Sequence, residues 1–78
     1  MSVVTLVGRP GCHLCTDART VVASVAADTG AEFVEVSIDD DLELMDRFSE
    51  LIPVVLIDDA YHAHYVIDPS ELRAALLR

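Results

Sequence analysis

Residues 3 to 15 read VVTLVGRPGCHLC, and the fold turns on how this stretch is parsed. Val3 to Val7 is an apolar, mostly β-branched run bounded by Gly8 and Pro10, which predicts a strand buried on both faces. Beyond it, Leu14, Ala18, Val21, Val22 and Val25 recur at helical spacing, and the stripe stops at Thr29 and Gly30. Cys12 and Cys15, the only cysteines of the chain, therefore sit where a strand ends and a helix begins. Three readings are open for such a pair: a redox couple, half of a metal site, or two small core residues.

The chain has 78 residues, 53% of them hydrophobic and 24% charged, which predicts one folded domain over residues 1–78 with a small core. Fourteen Asp and Glu against five Arg and no Lys give a net charge of -9. That balance argues against nucleic acid or an anionic membrane as partner. The N-terminal apolar run is too short for a signal peptide or a membrane span, so the expected location is the cytoplasm. Structural disulfides are rare in that compartment, and a three-residue separation closes almost no loop. Thiol chemistry or metal binding is the stronger reading of CxxC.

Downstream, Ala31 to Ile38 alternates as a second strand, parallel to the first through the intervening helix. Asp39, Asp40 and Asp41 offer a cap to a second helix whose Leu42, Met45, Phe48 and Leu51 form its buried side. Val54 to Ile57 is a third strand, Asp58 and Asp59 a turn, and Tyr61 to Ile67 a fourth strand antiparallel to the third. Asp68 and Pro69 open a last helix carrying Leu72, Ala75 and Leu76. The class is α/β, in the order βαβαββα with a four-stranded mixed sheet.

That order, with RPGCHLC after the first strand and IPVVLIDD opening the third, resembles the glutaredoxin branch of the thioredoxin fold over nearly the whole chain, and in particular the short bacterial glutaredoxin-like proteins. The resemblance implies a thiol–disulfide oxidoreductase that reduces protein disulfides or glutathione mixed disulfides. It assigns Cys12 as the exposed nucleophile and Cys15 as the more buried resolving thiol. It implies a cis Pro53 packed beside the CxxC, with the backbone of Ile52 free to pair with an extended substrate. Arg9 matches the position of a basic residue that helps bind a glutathione carboxylate. Arg9, His13, Leu14, Ile52 and Pro53 are thus the expected substrate-binding set, with no tightly bound cofactor, glutathione as a possible co-substrate, a separate thiol reductant and a monomeric chain. Two departures stand out: the turn before the last helix reads Val66, Ile67, Asp68, Pro69 without the family's paired glycines, and CHLC is neither CPYC nor CGPC.

The residues at the motif suit that chemistry. The thiolate is the attacking species, and unpaired N–H groups and the dipole at a helix start stabilise negative charge on a sulfur placed there. Arg9 and His13 add positive charge nearby, while Asp17 opposes it. Residues i and i+3 of a helix have Cβ atoms about 5 to 6 Å apart, so small adjustment closes a disulfide. The rival Cys2His2 site, with His62 and His64, is opposed by the expected fold, which puts the hairpin turn carrying His62 at the other end of the sheet, roughly 13 Å away. A bound [2Fe–2S] cluster, or a module that holds peptides beside Pro53 without turnover, are the remaining alternatives.

Overall fold

A computed structural model describes residues 2–77. Four strands, β1 (Val3–Gly8), β2 (Glu32–Ser37), β3 (Val54–Ile57) and β4 (Ala60–His64), form one sheet in the order β2-β1-β3-β4. Three helices accompany them: α1 (His13–Thr29), α2 (Leu42–Phe48) and α3 (Pro69–Leu76), with a 3-10 turn at Ile38–Asp40. β1 and β2 are parallel, while β1–β3 and β3–β4 are antiparallel, so the sheet is mixed.

The period-two alternation of the central strands builds a core on each face. Val4, Leu6 and Val55 point to one side and pack with Ala18, Val22 and Val25 of α1 and Leu72 of α3. Val7, Val54 and Leu56 point to the other and pack with Ile38 and Phe48. The sheet ends are tied by polar contacts at the turns. Asp58 and Asp59, at φ 50° and 70°, form the two-residue β3–β4 hairpin turn, whose twist needs two left-handed residues. The Asp58 carboxylate accepts the Val3 N–H at 2.8 Å, and its own N–H donates to the Val3 carbonyl at 2.8 Å. Asp68 caps α3 by accepting from the N–H groups of Ser70 and Glu71, and Pro69 occupies the first helical position, where no intrahelical N–H bond is lost.

Several expectations need correction. β2 runs over Glu32–Ser37 rather than Ala31 to Ile38, because Ile38 opens the 3-10 turn and is buried beneath it. Asp39 and Asp40 belong to that turn, and Asp41 alone caps α2, accepting from Glu43 and Leu44 N–H groups. Leu42, the first residue of α2, is 81% exposed; the helix packs through Leu44, Met45 and Phe48, and Leu51 lies beyond its end. In α1 the buried stripe runs Cys15, Ala18, Val22, Val25, Ala26. Leu14, one position earlier, is rotated about 100° away from the sheet and is exposed.

β4 stops at His64 instead of Ile67, because Tyr65 adopts a left-handed φ of 64° that turns the chain out of the ladder. A bulge between the Val55–Ala63 and Leu56–Tyr61 pairs leaves His62 as the extra residue. Simple alternation therefore fails along β4. Tyr61 and His64, three apart, come to the same face, where the Tyr61 hydroxyl and His64 Nδ1 are hydrogen-bonded.

Candidate functional site

The site begins where β1 ends. Gly8 is buried, Gly11 takes φ 80° to turn the chain, and Cys12 is the N-cap of α1, with extended dihedrals of φ -92° and ψ 117°. Its Sγ accepts the Cys15 N–H at 3.1 Å, filling the role that a Ser or Asp side chain usually takes at an N-cap. Its carbonyl accepts the N–H of Thr16. Cys12 is half-buried, whereas Cys15, inside the first turn, is 4% exposed and lies against Gly8. A Cβ on Gly8 would fall 2.9 Å from the Cys15 sulfur, so the absence of a side chain there is what lets Cys15 seat.

The two thiols occupy different electrostatic settings. Burial pushes the Cys15 thiol up to about 11, assisted by its hydrogen bond with Cys12 and by charge on Cys12; the backbone N–H of Arg9 and the charge of Arg19 pull in the opposite direction. Because the unfolded chain releases this proton near the usual thiol value of 9.0 and the folded chain holds it to about 11, the folded state binds more protons between them. The reduced protein should lose stability as pH rises through that window, and less steeply in Cys15→Ala. Urea unfolding of both at a series of alkaline pH values measures the difference.

Pro53 enters from β3. The pairing of Val7 with Val54 sets it beside Gly8, at the same end of the sheet as the cysteines. The Ile52–Pro53 peptide bond is cis, Pro53 is fully buried and Ile52 is half-buried. Tyr65, just past the end of β4, braces this segment: its N–H donates to the Pro53 carbonyl at 2.9 Å and its hydroxyl to the Glu50 carbonyl at 2.8 Å.

Of the expected substrate-binding residues, Arg9, His13 and Leu14 flank the cysteines and are exposed, and Ile52 and Pro53 lie at the same sheet end. Arg9 is engaged, its guanidinium donating to Asp39 at 3.1 Å. The histidines of β4 correct an expectation: His62 is the bulged residue, but His64 pairs with Val54 next to Pro53, at the cysteine end of the sheet and not the far end, because the bulge and the strand's start at Ala60 set that register. His64 packs edge-on against Tyr65 at 4.5 Å between ring centroids. Among the described residues, no three His, Cys, Asp or Glu side chains are grouped so as to hold a metal ion. Among the same residues, no helix is long and apolar enough to cross a membrane.

Gly8, Tyr65 and the Arg19–Glu35 pair are site features that sequence reasoning missed. Gly8 carried a signal, a glycine at the end of an otherwise β-branched strand, which often marks close approach of another group. Tyr65 carried none, since tyrosine has no preference for the left-handed region.

Beyond the site, the chain is similar to known proteins over nearly its whole length. Residues 3–77 match the glutaredoxin-like domain family DUF836. The chain belongs to that family. The uncharacterized protein Rv0508 of Mycobacterium tuberculosis is 28% identical over 80 residues, spanning 96% of this chain and 82% of that protein. The X-ray structure of protein XcR50 from X. campestris shares 32% identity and a TM-score of 0.76, covering 95% of each chain. A mutant thioredoxin from Halobacterium salinarum, at 19% identity, superposes with a TM-score of 0.73 over 96% of this chain and 71% of its own. The glutaredoxin-like chain thus has the thioredoxin fold.

Proposed function

We propose that this glutaredoxin-like protein is a cytoplasmic thiol–disulfide oxidoreductase that works through the Cys12–Cys15 dithiol. The observation that carries the reading is the Cys12 sulfur at the N-cap of α1, accepting the Cys15 N–H at 3.1 Å, with the Cys15 thiol buried one turn behind it. Partial exposure lets a substrate disulfide reach the Cys12 sulfur, and the second thiol lies close enough behind it to resolve a mixed disulfide. In the first step the Cys12 thiolate attacks one sulfur of a disulfide, forming a mixed disulfide and expelling the other sulfur as a thiolate that takes up a proton. Cys15 then loses its proton and attacks Cys12 Sγ, forming the Cys12–Cys15 disulfide and releasing the second thiol. Two electrons pass to the substrate, and an external thiol reductant returns the dithiol.

Pro53 and the backbone of Ile52 would align the substrate, with His13 and Leu14 on the opposite rim. The Arg9–Asp39 pair is solvent-exposed and so of little energetic weight, leaving the guanidinium available to a substrate carboxylate such as that of glutathione. The test supplies the purified protein with a peptide disulfide and with a glutathione mixed disulfide, regenerated either by glutathione or by a dithiol reductase system. Turnover by either route is the expected result. No reduction by either route, with stoichiometric iron or zinc in the purified protein, would overturn the reading in favour of a metal or cluster module; no reduction with peptide bound would favour a binding module.

A further inference from the structure

The resolving step requires a buried thiol to become an anion, and the fold places one particular cation where it can help. Between α1 and the edge strand β2 lies a cleft of about 350 Å³, lined among others by Gly8, Pro10, Cys15, Arg19, Glu35 and Ser37. Cys15 reaches it from beneath. Arg19 follows Cys15 by four positions, so both project from the same side of α1. The Arg19 guanidinium crosses to β2, where Nε and Nη2 both donate to Oε2 of Glu35 at 2.7 and 2.6 Å. The sheet register fixes the far end of this span, because Glu35 pairs with Leu6 two residues before Gly8.

We propose that Arg19 is the positioning residue that stabilises the Cys15 thiolate across this cleft, and that Glu35 sets how much of the guanidinium charge the sulfur feels. The proposal rests on the redox reading above and names the group that makes its second step feasible. As Cys15 attacks Cys12 Sγ, its proton leaves into the open cleft, the bond from Cys12 to the substrate sulfur breaks, and Arg19 faces the transient negative charge on Cys15. The other charged or titratable groups around Cys15 do not fill this role. Cys12, at the helix start, is consumed in the mixed disulfide. Arg9, in the β1–α1 loop and also on the cleft, acts on Cys15 through its backbone N–H while its guanidinium reaches out to Asp39, and Asp40, on the cleft rim, is of the wrong sign. The opposing influences on the Cys15 thiol agree with this assignment: burial raises it, and Arg19 lowers it.

The consequence has opposite signs for the two members of the ion pair. Arg19→Gln removes the cation and lowers the thiolate fraction of Cys15, while Glu35→Gln removes the competing anion and raises it. A bridge that merely joined α1 to β2 would be broken equally by either change. The measurement is stopped-flow reaction of the reduced protein with 2,2′-dithiodipyridine, an uncharged disulfide, followed through release of pyridine-2-thione. The first release reports attack by Cys12, and the second reports attack by Cys15 on the mixed disulfide. Arg19→Gln should slow the second phase on the order of threefold, as expected for a partly solvated charge, and Glu35→Gln should speed it by a similar factor. The first phase should not change in either variant, and Arg19→Lys should restore most of the second. The effect should fade toward alkaline pH as Cys15 ionises unaided.

Movement of the second phase in the same direction in both variants, or no movement, would overturn the proposal. Absence of a second phase in the unaltered protein would overturn the redox reading and this inference with it, so the two failures are told apart in one experiment.

Discussion

Cys12→Ser should reduce disulfide turnover to the uncatalysed background, whereas Cys15→Ser should leave the first attack intact and stall the protein as a mixed disulfide. The asymmetry comes from placement. The Cys12 sulfur is half-exposed at the N-cap and holds a hydrogen bond from the Cys15 N–H, which Cys15→Ser preserves because the donor is backbone. A serine hydroxyl at position 12 can make the same capping contact, so Cys12→Ser should fold normally while lacking the thiol nucleophile. Cys15 is buried behind it and cannot meet a substrate disulfide first. Incubation of Cys15→Ser with oxidised glutathione or a peptide disulfide, followed by intact-mass analysis, should find one adduct, on Cys12. Glutathione can release that adduct from outside, so Cys15→Ser should keep activity toward glutathione mixed disulfides if the protein uses them, and lose activity toward protein disulfides that need the internal thiol. An adduct on Cys15 in Cys12→Ser at a comparable rate would reverse the assignment of the two cysteines.

The parts of this arrangement that the sequence made legible are those written in local periodicity. The buried run Val3 to Val7, the stripe through Ala18, Val22 and Val25, the Asp58–Asp59 turn and the Asp68–Pro69 helix start all carry their geometry within a few residues. They were enough to put Cys12 and Cys15 at a strand–helix junction, whereas a Pro53 packed beside them was implied by the resemblance to glutaredoxins and not by any local pattern. The features that stayed hidden depend on register or on an unusual backbone. Arg19 meets Glu35 only because the parallel pairing of β1 and β2 sets Glu35 opposite Leu6, and nothing in either segment alone specifies that offset. The end of β4 depends on Tyr65 taking a left-handed conformation, held by bonds to the carbonyls of Pro53 and Glu50, which lie well back along the chain before β3. Leu14 and Leu42 misled for a shared reason: each lies in the first turn of its helix, where an apolar residue is as free to face solvent as the core.

Gly8→Ala should be costly out of proportion to the single carbon it adds, and the cost should be tied to Cys15. Gly8 closes β1 directly beneath the first turn of α1, and the added Cβ would lie 2.9 Å from the Cys15 sulfur and 3.3 Å from its Cβ. The first distance is far inside van der Waals contact, so the Cys15 side chain, the helix turn that carries it or the β1 backbone must shift. Cys15 is buried, and the helix that carries it is packed on the sheet through Ala18, Val22 and Val25. The expected destabilisation is about 1 to 3 kcal/mol, the usual range for overpacking a filled core, and urea unfolding of the reduced protein measures it. The clash also displaces the resolving sulfur from Cys12, so the second phase of thiol release should slow while the first is spared. Repeating the substitution in a Cys15→Ala background isolates the cause: the sulfur contact is gone and only the milder 3.3 Å approach of the two Cβ atoms remains. Most of the destabilisation should then disappear, giving a coupling energy on the order of 1 kcal/mol between positions 8 and 15. Equal destabilisation in both backgrounds would mean that the glycine serves the β1 backbone instead of the seat of the thiol.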